Sequence, residues 1–252
     1  SSRKIYEGIN WSQNLEKNGE VGKQVEKGKK AFVGQEIFGK TLGIVGLGAI
    51  GKLVANAVLA LGMKVIAYDP FVSSTDLPIQ LTTDLNEIYK NCDYITLHVP
   101  ATPQTKNSVN KDTITLMKDG VRIINLARGE LVNNDDIKKA IAGGKVAKYV
   151  TDLPCDELLG VDGVITIPHL GASTAEAEDN CAVMAANQLK DYLENGNIVN
   201  SVNFPKLQVE RSGKARVCVI SSDVQNAVAQ VNATLTNVSA IASATRGNIA
   251  YV

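Results

Sequence analysis

From Gly39 onward, short apolar runs alternate with stretches of helical period. Residues 41–45 are a β-branched run, followed by a glycine-rich turn from Gly46 to Gly51. Apolar positions then recur at helical spacing over 50–61, and Gly62 is placed to end that helix. Residues 63–68 predict a second strand, stopped by Asp69 and Pro70. Beyond it the pattern predicts a helix at 84–90, a strand at 94–99, a helix at 112–117 and a strand at 121–126. A helix at 135–142, ended by Gly143 and Gly144, and strands at 146–152 and 164–167 complete the series. Strands alternating with helices predict an α/β fold, a doubly wound parallel sheet with helices on both faces.

The flanks read differently. Residues 1–35 are polar and rich in Lys and Gly, and predict a helix tail over 3–15 followed by a linker. Residues 173–195 predict the longest helix, with Ser173 or Thr174 as N-cap, Glu176 and Glu178 in its first turns and Gly196 at its end. Its apolar stripe is Ala182, Ala185, Ala186, Leu189 and Leu193. After Pro205 a strand at 216–220, a helix at 224–235 and one or two strands around Arg246-Gly247 predict a small α+β module. The expected organisation is therefore 1–35 as tail and linker, 36–172 as the α/β domain, 173–206 as helix and return segment, and 207–252 as a partial module.

Composition narrows the function. Of 252 residues, 44% are hydrophobic and 21% charged, a globular balance. Lys plus Arg (26) equals Asp plus Glu (26), so no net field draws the chain to nucleic acid or to an anionic membrane. Cys92, Cys155, Cys181 and Cys218 share no metal-ligand spacing, and their scatter suits a reducing cytosol. No apolar run is long enough to span a bilayer and the first residues hold no signal-peptide core, so a cytoplasmic chain without a metal site is expected.

Gly46-Leu47-Gly48-Ala49-Ile50-Gly51 is a GxGxxG motif between a strand and a helix, with Asp69 ending the next strand. Gly46 allows the tight turn, Gly48 lets backbone N–H groups approach a pyrophosphate, and Gly51 permits close helix–strand contact. The helix N-terminus favours phosphate, and Asp69 can accept bonds from ribose hydroxyls while repelling a 2′-phosphate. These features predict a Rossmann-type domain that prefers NAD to NADP. The alternative, a glycine turn with an incidental acid, explains less of the context.

Three residues follow successive strands: Arg128 after 121–126, Glu157 after 146–152 and His169 after 164–167. Ligands of parallel sheets bind at such carboxyl ends. An Arg fork can hold a carboxylate, and a His can take a hydroxyl proton as hydride leaves the same carbon. A carboxylate beside the imidazole favours its protonated form. This trio suits a 2-hydroxy or 2-keto acid. The plainer readings are a surface ion pair for Arg128, a solvated acid for Glu157 and a capping role for His169. His98, the other histidine, reads as a satisfied strand-end residue in preference to part of the cofactor-pocket wall, and Cys155 reads as inert.

Together GKTLGIVGLGAIGKLVANAVLALGMKVIAYDP, DYITLHVPATPQTKNSVN, MKDGVRIINLARGELVNNDDI, IPHLGASTAEAEDN and DYLENGNIVNSVNFP resemble the D-isomer-specific 2-hydroxyacid dehydrogenases, and within them the D-3-phosphoglycerate dehydrogenases. The resemblance implies Arg128 as carboxylate anchor, Glu157 as the histidine's partner and His169 as acid/base. To Gly46, Gly48 and Gly51 of the motif it adds implied cofactor contacts from Ala49, Ile50, Asp69, Leu126, Ala127, Arg128, Asp152 and the turn His169, Leu170, Gly171, Ala172. The implied reaction is NAD-dependent oxidation of 3-phosphoglycerate to 3-phosphohydroxypyruvate, the entry to serine synthesis, in a homodimer or homotetramer. It also implies a substrate-domain segment ahead of residue 1 and an ACT-like C-terminal module, which in this family often binds serine. Here Ser221-Ser222-Asp223 stands where the family's serine site tends to carry His and Asn, and the module stops short of a whole βαββαβ unit. A dehydrogenase for another D-2-hydroxy acid and a non-catalytic NAD-binding scaffold remain as alternatives.

Overall fold

A computed structural model describes residues 2–211 and 215–252. The chain divides into two compact units, one ending at Leu170 and the other running from Gly171 to Val252. The first begins with α1 (Ile5–Gln13) and α2 (Val21–Gly28). It continues as β1 (Thr41–Val45), α3 (Ala49–Ala60), β2 (Lys64–Tyr68), β3 (Gln80–Thr82), α4 (Leu85–Asn91) and β4 (Tyr94–Leu97). Then come α5 (Lys111–Leu116), β5 (Val121–Asn125), α6 (Asn134–Ala142), β6 (Val146–Thr151) and β7 (Val164–Thr166). Among the described residues these strands form one sheet in the order β3-β2-β1-β4-β5-β6-β7, all parallel. The order reverses between β1 and β4, which opens a crevice at their carboxyl ends.

Apolar residues on both faces of the central strands explain the two-sided cover. Leu42, Ile44, Val65, Ala67 and Tyr94 belong to one cluster, with Ala55 of α3. Val45, Ile66, Ile95, Leu97, Ile123 and Tyr149 belong to the other, with Ile88 of α4, Ile114 of α5 and Ile137 of α6. Full burial of an aliphatic side chain such as Ile44, Ile95 or Ile123 contributes about 1.5–3 kcal/mol. Caps fix where the helices on this second face begin. The Asp84 side chain accepts the Asn86 N–H, Asn110 forms a capping box with Thr113, and Asn133 accepts from the N–H groups of Asp135 and Asp136.

Two elements differ from expectation. The segment expected as a linker contains α2, and β3 pairs with β2 although no apolar run marks it. Ser2, Glu7 and Gln35 of the leading segment bond to sheet residues, Gln35 Oε1 accepting from Arg122 Nη1 at 3.5 Å. Tyr94 Oη donates to Ser2 Oγ at 2.7 Å, Arg122 stacks 5.4 Å from the Tyr94 ring, and Lys148 pairs with Glu7 at 2.8 Å. These three sheet residues stand on neighbouring strands β4, β5 and β6.

The second unit holds α7 (Ala175–Asn195), β8 (Ile220–Ser221), α8 (Ala227–Thr234), β9 (Ala244–Arg246) and β10 (Ile249–Tyr251). Thr174 caps α7 by accepting the Ala177 N–H, and Gly196 ends it at φ 68°. None of the α7 residues is buried, the stripe of Ala182, Ala185, Ala186, Leu189 and Leu193 included. A small antiparallel sheet has the order β8-β10-β9. The strand expected at 216–220 is shorter than its apolar pattern. Arg216 donates to the Asn195, Val209 and Glu210 carbonyls, and regular pairing begins only where Val219 and Val252 exchange hydrogen bonds. No helix among the described residues is long and apolar enough to cross a membrane.

Candidate active site

The glycine loop leaves β1 at the point where the strand order reverses. Gly46 has φ 97°, and a Cβ there would lie 2.6 Å from the His98 carbonyl oxygen and 2.8 Å from Val99 Cγ1. Only glycine satisfies both conditions. A Cβ on Gly51 would run into the Gly46 carbonyl oxygen, so α3 sits hard against the loop. Gly48 differs, since nothing lies within 4 Å of its Cβ position. Gly48, Ala49 and Ile50 are exposed, and no side chain caps α3. The free N–H groups of its first turn therefore face open space with the positive end of the helix dipole behind them.

Asp69 follows β2 and is tied to the same loop. Its Oδ2 accepts the Leu47 N–H at 2.8 Å and its Oδ1 accepts the Phe71 N–H at 2.9 Å. Each oxygen retains a lone pair for a ribose hydroxyl. Loop, uncapped helix and carboxylate fit the pyrophosphate and adenosine ribose of NAD.

Leu126, Ala127 and Arg128 form the turn after β5. Asn125, fully buried, holds it. Its Oδ1 accepts the Ala127 N–H at 3.2 Å, and its Nδ2 donates to the Arg128 carbonyl at 2.8 Å and to Tyr149 Oη at 3.3 Å. Arg128 itself is exposed, with Nη1 donating to the Ala127 carbonyl at 2.7 Å. The rest of its fork is available to a carboxylate.

His169 follows β7, and its Nδ1 lies 3.0 Å from Asp152 Oδ2. The imidazole is 66% exposed and the Asp152 side chain 13%, so a mostly buried carboxylate orients an accessible ring. Asp152 Oδ1 is buried without a hydrogen-bond partner. Glu157, expected beside the imidazole, is engaged elsewhere: it accepts a hydrogen bond from the Cys155 thiol. In this structure the imidazole's carboxylate is Asp152. The distinction follows from position, because Asp152 directly follows β6 whereas Glu157 lies on an exposed turn further on. The Cys155 bond holds Glu157 below the usual carboxylate range. Burial and the Glu157 carboxylate hold the thiol above its ordinary value, and Cys155 also accepts from Asn134 Nδ2 at 3.3 Å. A thiol so held is a poor nucleophile.

His98 lies half-buried with Nε2 3.1 Å from Thr96 Oγ1, and burial pushes its pKa down. Leu170 closes the first unit, while Gly171 and Ala172 open the second. Sequence reasoning did not single out Asn125 or Tyr149. The available signal was an amide side chain closing the β-branched strand Val121-Arg122-Ile123-Ile124 just ahead of the arginine turn.

The chain's relationships agree with this geometry. Residues 2–171 match the family described as D-isomer specific 2-hydroxyacid dehydrogenase, NAD binding domain. The chain belongs to that family, and NAD is the cofactor its first unit is built to hold. It is 38% identical to the D-3-phosphoglycerate dehydrogenase of Methanocaldococcus jannaschii over 219 residues, 83% of this chain and 42% of that protein. It is 46% identical to the hydroxypyruvate reductase of Thermotoga maritima over 159 residues, 60% of this chain and 52% of that protein. The chain thus spans about half the length of the curated relatives it matches. Among solved structures, apo D-lactate dehydrogenase from Escherichia coli superposes with a TM-score of 0.65 at 26% identity, over 79% of this chain and 61% of that one. A D-2-hydroxyisocaproate dehydrogenase superposes with a TM-score of 0.63 at 30% identity, over 79% and 68%.

Proposed function

We propose that the protein is an NAD-dependent D-2-hydroxyacid dehydrogenase that oxidises 3-phosphoglycerate to 3-phosphohydroxypyruvate. The observation that carries the reading is an accessible imidazole, oriented by a carboxylate, at the carboxyl end of a parallel strand in an NAD-binding sheet. Arg128 binds the substrate carboxylate through its planar fork and fixes the C2 hydroxyl toward His169. His169 accepts the hydroxyl proton as C2 becomes a carbonyl, and returns it in the reverse direction. The negative charge of Asp152 or Glu157 stabilises the imidazolium so formed. NAD, when bound, supplies the hydride acceptor. Asp69 selects it over the 2′-phosphorylated form by repulsion.

The phosphorylated substrate is favoured by 38% identity to a D-3-phosphoglycerate dehydrogenase that extends over most of the chain, beyond the NAD-binding unit. Hydroxypyruvate reduction is the second reading, favoured by the higher identity to a hydroxypyruvate reductase over a shorter stretch. NADH oxidation with 3-phosphohydroxypyruvate, hydroxypyruvate, 2-oxoglutarate and pyruvate separates them. Preference for the phosphorylated acid, with collapse in His169→Ala, is the expected result. Preference for hydroxypyruvate selects the second reading, and NADH binding without any turnover makes the protein a cofactor-binding scaffold.

A further inference from the structure

We propose that Asn125, with Tyr149 behind it, is the positioning residue of the arginine turn and sets the direction in which Arg128 meets a substrate carboxylate. The inference rests on the reading of Arg128 as carboxylate anchor. Strand register makes Asn125 conspicuous. Val45, Leu97 and Asn125 are aligned across β1, β4 and β5, and all three are buried. The first two are apolar, as a sheet interior prefers. A fully buried amide at the third position costs free energy unless its polar atoms are bonded.

Its bonds run almost wholly to the turn. One side-chain oxygen holds the N–H two residues on, and one N–H holds the carbonyl three residues on. The amide thus clamps the backbone on both sides of Arg128's Cα–Cβ bond origin, at Ala127 N and Arg128 O. The second N–H goes to the Tyr149 hydroxyl, which stands on neighbouring β6, is 1% exposed and also hydrogen-bonds Thr151. The clamp is therefore referred to the sheet rather than floating with the loop. Arg128 has an extended backbone, φ −146° and ψ 135°, and its guanidinium lies in solvent. The hydrogen bond that directs its fork runs to the Ala127 carbonyl, which belongs to the same turn. The backbone of the turn is what aims it, and Asn125 holds that backbone. Bidentate recognition of a planar carboxylate depends on such aim, since a small misplacement costs much of the gain.

A double-mutant cycle tests this in the intact protein, read by calorimetric binding of oxamate, an unreactive 2-keto acid analogue, in the presence of saturating NADH. Arg128→Ala is expected to weaken oxamate by on the order of tenfold to a hundredfold, as loss of a charged hydrogen-bonding partner does. Asn125→Ala is expected to weaken it by about tenfold alone and to add almost nothing in the Arg128→Ala background. Tyr149→Phe, which removes one hydroxyl, is expected to follow the same non-additive pattern with a smaller loss, and carries the test should Asn125→Ala not fold. Additive losses, or no loss in the Asn125 and Tyr149 variants while Arg128→Ala retains its effect, overturn the positioning role alone. Oxamate binding that ignores Arg128→Ala, or that is absent from the unmodified protein, overturns the reading of Arg128 as anchor and this inference with it.

Discussion

Asp152 Oδ2 stands 3.0 Å from Nδ1 of His169, joining the ends of two neighbouring strands through side chains seventeen positions apart in the chain. The contact fixes which ring nitrogen faces the protein and leaves Nε2 on the side where the proposed reaction needs a proton acceptor. Replacing His169 with Ala is expected to lower turnover by about 10²–10⁴-fold. Asp152→Asn is expected to lower it by about tenfold or more, since a charge-assisted bond is exchanged for a neutral one. Glu157→Gln discriminates between the carboxylates. A loss in kcat/KM as large as that of Asp152→Asn assigns Glu157 a share in stabilising the imidazolium, and wild-type kinetics confine that task to Asp152.

The same substitution at two glycines of one loop should have opposite consequences. Gly46→Ala forces a side chain into a left-handed backbone and against the His98 carbonyl, at a cost of about 2 kcal/mol or more. Thermal melting should fall by roughly 4–8 °C. Gly48→Ala meets open space, at φ −73°, so melting should not change while NADH binding weakens about tenfold or more. Equal melting temperatures for the two variants would contradict this account of the loop.

Asp69 braces the loop through the Leu47 N–H, besides its proposed role toward a ribose. Asp69→Ala is expected to weaken NADH binding by about tenfold and to narrow the preference over NADPH, because both the Leu47 N–H bond and the repulsion of a 2′-phosphate disappear. Fluorescence titration with both nucleotides is the measurement. An unmodified protein that binds NADPH as well as NADH would remove the basis for the assignment.

Asp93 makes stability depend on acid pH. Burial alone would raise its carboxyl, but the Thr41 N–H bond at 2.8 Å and the Lys118 ammonium at 3.1 Å outweigh it and hold the pKa below the ordinary 3.8. A depressed carboxyl contributes stability that is full above its unfolded pKa and is lost as pH falls through the folded value. Denaturation of the Asp93→Asn variant should therefore be less steeply pH-dependent below about pH 4 than that of the unmodified chain. At neutral pH the variant should be less stable by about 1 kcal/mol.

The parallel sheet was legible because β1, β4 and β5 must hide apolar residues from water, and such runs stand out against polar turns. The glycine loop was legible because its constraints are steric. β3 was not, since Gln80-Leu81-Thr82 is a partly exposed edge segment that buries little and draws its order from β2. Nor was α2, whose residues are mostly Lys, Glu, Gln, Gly and Val with none buried. At the site, residue types and strand ends were readable, but pairings were not. Asp152 and Glu157 are both acids shortly after β6, and only the folded geometry shows that one meets the imidazole while the other meets a thiol. Asn125 was overlooked because an amide's value lies in the bonds it makes, which spacing alone does not reveal.

Arg128, Glu157 and His169 are all exposed, whereas Asn125 and Thr151, which close the strands beneath the first two, are buried. The burial that builds the sheet and the side chains to which the proposed chemistry falls are thus held largely by different residues. Exchange of the outward side chains should alter which acid is turned over while leaving the melting point nearly still. Lineages could then explore new substrates on this scaffold without first accumulating a reserve of stability.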